Sequence, residues 1–127
     1  MTNPALIAAA LLLAGQQAAP ADMTVAALLE RIEAARGAPA PELSPQIEQL
    51  RAELRRVGLE YRAEVDAAKA AGKPPRSCLP PPGAFNFNSN ELVAELVKVP
   101  EAERAATSIR PAFYALLDRR FACPQGG

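Results

Sequence analysis

Two cysteines, Cys78 and Cys123, are the residues of this chain whose type and number carry chemistry most directly. With no histidine anywhere in the chain, two thiols make a poor zinc site, since structural zinc takes four nitrogen or sulfur ligands. The 44 residues between them rule out a Cys-x-x-Cys redox pair. If the chain is exported to an oxidising compartment, an even count of two leaves one connectivity, a disulfide between Cys78 and Cys123. The alternative is two buried free thiols in a cytosolic protein. Lack of histidine also removes the commonest general base, so no hydrolytic triad can be assembled. Ser44, Ser89, Thr107 and Ser108 read instead as helix caps. No glycine-rich phosphate loop is present. No catalytic residue, metal or cofactor is expected, and the chain reads as a non-enzyme.

The elements that must position the cysteines are helical. Thr24 is a good N-cap, with Val25, Leu28, Leu29, Ile32 and Ala35 following at helical spacing before Gly37 offers a left-handed stop. Pro39 and Pro41 mark a connection. Ser44 before Pro45 is an N-cap followed by a first-turn proline, and no further proline interrupts until Pro74. A long helix over 45–71 is therefore expected, about 40 Å at 1.5 Å per residue, closed by Gly72. Its apolar stripe is Ile47, Leu50, Leu54, Val57, Tyr61, Val65 and Ala68. Its charges read as a solvated face with pairs Glu48 with Arg51, Arg56 with Glu60 and Arg62 with Asp66, each worth a few tenths of a kcal/mol.

Prolines 74, 75, 80, 81 and 82 exclude helix and central strand, so the segment around Cys78 reads as an extended strap. Asn88 and Glu91 form a capping box for a third helix over 89–98, which should bury Leu92, Val93, Leu96 and Val97, with Phe87 stapling onto Leu92. Pro100 pushes Val99 out of helical geometry. After one more turn, Thr107 or Ser108 caps a last helix through Phe121 that carries Ile109, Phe113, Leu116 and Leu117. The fold class expected is all-α: a small domain of four to five helices with one long central helix and one intrachain disulfide.

Composition narrows the partners. The 14 basic and 14 acidic residues balance, nine of each over 22–76 and five of each thereafter, which argues against nucleic acid and against a polybasic membrane patch. All 28 charges lie beyond residue 21. Within the uncharged beginning, residues 5–14 form a ten-residue apolar run, the length of a signal-peptide core and well short of the roughly 20 residues of a membrane span. Ala19-Pro20-Ala21 offers the small residues of a cleavage site. Residues 1–21 are thus expected to be a secretory signal peptide and 22–127 a single helical domain, periplasmic and without a membrane anchor after processing. Cleavage after Ala19 and an alanine-rich extension are the alternatives.

Cys78-Leu79-Pro80-Pro81, Asn90-Glu91-Leu92-Val93-Ala94-Glu95-Leu96, Pro100-Glu101-x-x-Arg104 and Ala115-Leu116 ahead of Phe121-Ala122-Cys123-Pro124 occur in that order. This order resembles the Rap1a/Tai family of small periplasmic immunity proteins, which protect bacteria against peptidoglycan-cleaving amidase effectors of type VI secretion. The resemblance covers 78–124. It implies a helical, disulfide-bonded and often dimeric protein that inhibits a secreted peptidoglycan amidase by plugging its active-site groove with a loop. The loop would be 84–88, where a proline-stiffened approach costs little ordering entropy. Since Phe87 is assigned to the staple, Phe85 is the expected anchor, with Asn86, Asn88 and Arg104 as further contacts. The alternatives are that Phe85 packs in the core and that Arg104 bonds nearby carbonyls or Glu101. The competing function is a structural or chaperone-like periplasmic helical protein with no dedicated effector.

Overall fold

The structure is a computed structural model that describes residues 22–83 and 88–125. The expected signal peptide, and Phe85, Asn86 and Phe87 with it, lie outside the described residues. Among the described residues there are four α-helices: α1 (Val25–Arg36), α2 (Pro45–Ala70), α3 (Ser89–Leu96) and α4 (Arg110–Arg120). Single 3-10 turns at Pro41–Leu43 and Glu101–Glu103 link α1 to α2 and α3 to α4. Among the described residues there is no strand, and an isolated antiparallel bridge joins Thr24 to Ser108.

The helix starts follow from their capping residues. Thr24 Oγ1 accepts the Ala27 N–H at 3.2 Å, and Ser44 Oγ accepts that of Ile47 at 3.3 Å ahead of Pro45. Asn88 and Glu91 close the capping box of α3 reciprocally, at 2.9 and 3.3 Å. Gly72, at φ +70°, is the left-handed residue just beyond α2.

Three boundaries differ from expectation, each for a local reason. Gly37 has φ −82° and is not left-handed; the chain leaves α1 through a tightened bond from Ala38 N–H to Ala35 O, just before Pro39. α3 stops at Leu96, because Lys98 and Val99 bond three residues back, to Glu95 and Leu96, as the chain turns into Pro100. Val97 is 47% exposed, because 100° per residue carries it well away from the face of Leu92 and Leu96, whereas Glu95, only 4% exposed, lies beside that face. α4 begins at Arg110, with Ile109 as N-cap; Ser108 Oγ accepts the Arg110 N–H at 3.1 Å, while the Thr107 hydroxyl donates to Glu103 O.

The core gathers Val25, Leu28 and Ile32 from α1, Leu54, Val57, Tyr61 and Val65 from α2, and Leu92 and Leu96 from α3. Ile109 and, from α4, Phe113, Tyr114, Leu116 and Leu117 complete it. A fully buried side chain of this size contributes about 1.5–3 kcal/mol, so the α2 stripe fixes the helix where it is covered, from Leu54 to Val65. Beyond Val65 the last turn and a half of α2 stands largely in solvent.

Cys78 and Cys123 form the expected disulfide, with Cα atoms 4.8 Å apart. Beside it the Cys78 N–H donates to Phe121 O at 2.7 Å. Bond and hydrogen bond together fasten the proline strap to the end of α4.

Candidate binding groove

The apolar stripe of α2 has two charged flanks, and they are treated differently. At 100° per residue, Glu53, Glu60 and Glu64 fall on one side of the stripe and Arg51, Arg55 and Arg62 on the other. The acidic flank is engaged within the molecule. Asp22 accepts from Arg110 at 2.7 and 3.0 Å, from Arg56 at 2.7 Å and from the Ser108 hydroxyl at 3.2 Å. Arg110 also pairs with Glu60, and Arg56 with Glu53. The Arg110 guanidinium, helped by Arg56 and Ser108, holds the Asp22 carboxyl well below the ordinary aspartate range despite its partial burial.

Further along the same seam, Arg76 from the strap grips both oxygens of Asp118, each at 2.8 Å, and reaches Glu64 at 3.4 Å. Its guanidinium lies over the Tyr61 and Tyr114 rings, 5.2 and 4.9 Å from their centroids. The two rings meet edge to face at 4.9 Å. The Tyr61 oxygen sits 2.7 Å from both Asp118 Oδ1 and Ser77 Oγ. A phenol has one proton, so it donates to the carboxylate and accepts from the fully buried Ser77. Burial, together with Asp118, pushes the Tyr61 hydroxyl up to about 12. The phenol therefore stays protonated, and its hydrogen bonds join α2 to α4 and to the strap.

The basic flank faces an open groove of about 450 Å³ between α2, the strap and α4. Leu54, Leu79, Phe113 and Leu117 line its floor, and Leu59, 61% exposed, extends the apolar surface onto the rim. Arg51, Arg55 and Arg62 border it, and no carboxylate is among its described lining residues. Arg51 meets Glu48 at 3.3 Å and Arg62 donates to Pro80 O at 2.8 Å, whereas Arg55 has no ion pair among the described residues. Like charges one turn apart, as Arg51 and Arg55 are, cost a helix about 0.2–0.5 kcal/mol.

Gly58 forms part of the groove's floor in the middle of α2. A Cβ built there would meet Phe113 Cε1 at 3.8 Å, an ordinary contact. Packing thus does not require glycine at this position, although glycine costs an interior helix turn about 1 kcal/mol relative to alanine. What the missing side chain preserves is the depth of the groove.

The expected contact residues in the described region have local partners. Asn88 caps α3. Arg104 donates to the carbonyls of Val99 and Val97 at 2.8 and 3.2 Å, tying the end of α3 to the following turn, and its own carbonyl accepts the Ala26 N–H at 3.0 Å. Among the described residues no group of three or more Cys, Asp or Glu side chains is placed to hold a metal ion, and no helix is long and apolar enough to cross a membrane.

In the sequence Tyr61 reads as one more apolar stripe position, and Arg76, Asp118 and Asp22 carry no local signal of the seam. For the flanks of α2 a signal did exist, in the seven- and four-residue spacing of Glu53, Glu60 and Glu64. For Gly58 it was the glycine itself, interrupting an otherwise good helical run. Comparison of this chain with models of protein families, with curated proteins and with solved structures finds no match.

Proposed function

We propose that this protein is a non-catalytic, periplasmic binding protein of the Rap1a/Tai kind, exported by the signal sequence at 1–21, that inhibits a peptidoglycan-cleaving amidase effector. The likeness of 78–124 to that family and the disulfide-bonded helical fold support this reading. The observation that carries it is the fixing of both approaches to the 84–87 segment. On one side the strap is bound to the end of α4 by the disulfide and the Cys78 amide; on the other, Asn88 is locked into its capping box.

A segment whose approaches are already ordered loses less conformational entropy on binding, the property an inhibitory loop needs. In this reading Phe85 is the apolar anchor and Asn86 supplies amide hydrogen bonds, while Asn88 and Arg104 hold the frame. The test is a pull-down of the oxidised protein from periplasmic extract with mass spectrometry of what it retains. Recovery of a peptidoglycan amidase, lost on Phe85→Ala, supports the assignment. Retention of unfolded clients without a hydrolase would favour a chaperone-like role instead.

A further inference from the structure

We propose that the groove between α2 and the strap is a docking site for a segment of a partner protein that presents an apolar side chain flanked by carboxylates. The inference stands apart from the inhibitor reading, because it is built on residues of α2, Leu79 and α4 and uses neither Phe85 nor Asn86. The chain is neutral overall, with 14 charges of each sign, yet the acidic flank of α2 is paired inside the molecule and the basic flank is turned to the groove. An incoming carboxylate meets Arg55, which has no ion pair among the described residues, and lies close to Arg51 and Arg62 at the same rim.

Leu54, Leu79, Phe113 and Leu117 provide an apolar floor, and Leu59 is exposed in their continuation, the combination of apolar anchor and arginine that protein interfaces concentrate. Gly58 leaves room for an inserted side chain at the cost of helix stability, which a purely structural helix face would not require. A basic segment is disfavoured by three arginines, and an uncharged apolar segment leaves Arg55 without an ion-pair partner among the described residues.

A random dodecapeptide library displayed on phage, selected on the oxidised protein and counter-selected on Gly58→Leu, tests the proposal. The expected result is enrichment of peptides carrying Leu, Phe or Trp flanked by Asp or Glu, with affinity about ten-fold weaker for Arg55→Glu. Arg55 is exposed, so that variant tests the groove even if Gly58→Leu perturbs the fold. Enrichment of basic or uncharged peptides, equal binding to both variants, or no enrichment overturns it. So does binding of phosphatidylglycerol vesicles in place of peptides, or self-association of the wild type that Arg55→Glu abolishes, which would assign the groove to lipid or to a second copy.

Discussion

Tyr61 donates its phenol proton to Asp118 at 2.7 Å across the α2–α4 interface, while the same oxygen accepts from buried Ser77. A residue that completes the apolar stripe of a helix also joins that helix to α4 and, through Ser77 and Arg76, to the strap. Tyr61→Phe keeps the ring and removes the oxygen, leaving Ser77 without its partner and Asp118 short of a donor. A loss of about 1–3 kcal/mol is expected, read as a lower midpoint in urea with an unchanged slope. A midpoint equal to wild type would mean that water replaces the phenol without penalty.

Replacing Cys78 and Cys123 together by Ala should lower stability by about 4 kcal/mol in the chain-entropy description of a loop this long. Thermal unfolding of the double variant beside the oxidised and reduced wild type measures it. Reduced wild type and double variant should coincide, since both lack the same constraint.

Acid should destabilise the fold through specific carboxylates. Asp22 is held below the usual range chiefly by Arg110, and Asp118, although burial pushes it up, is held low by Arg76 and Tyr61. A carboxyl whose folded pKa is depressed adds stability that is fully present above its unfolded value of about 3.9. That stability is lost as pH falls through the folded value, because the unfolded chain takes up protons first. Melting temperature should decline below about pH 4, and Asp22→Asn should flatten the decline while lowering the plateau at neutral pH. An unchanged slope in Asp22→Asn would remove Asp22 from the account.

Gly58→Ala should raise stability by about 0.5–1 kcal/mol, because the new methyl has room beside Phe113 and the helix gains a better former. Chemical denaturation checks it. A destabilised variant would mean that the floor of the groove is already filled at that position.

The capping and proline signals located α1, α2 and α3 to within a residue or two, because Thr24, Ser44, Asn88 and Pro45 act through neighbours three residues away or fewer. The expectation of export, joined to a count of two cysteines, pointed to the disulfide. The seam was not legible. Tyr61 and Asp118 are 57 residues apart, and Arg110 and Asp22 88 apart, so no local pattern links them. Burial of Glu95 was also hidden, since it depends on Lys98 and Arg119 closing over its carboxylate. The charged faces of α2 read as uniformly solvated for the same reason: which flank is paired depends on what α4 and the strap bring to it.

The proposed inhibition of a peptidoglycan amidase is tested most directly by mixing the oxidised protein with an amidase recovered in the pull-down and following digestion of purified sacculi by loss of turbidity. The account predicts that an equimolar amount stops digestion, and that Phe85→Ala, folded and disulfide-bonded, does not. Digestion that continues unchanged in excess protein would contradict it.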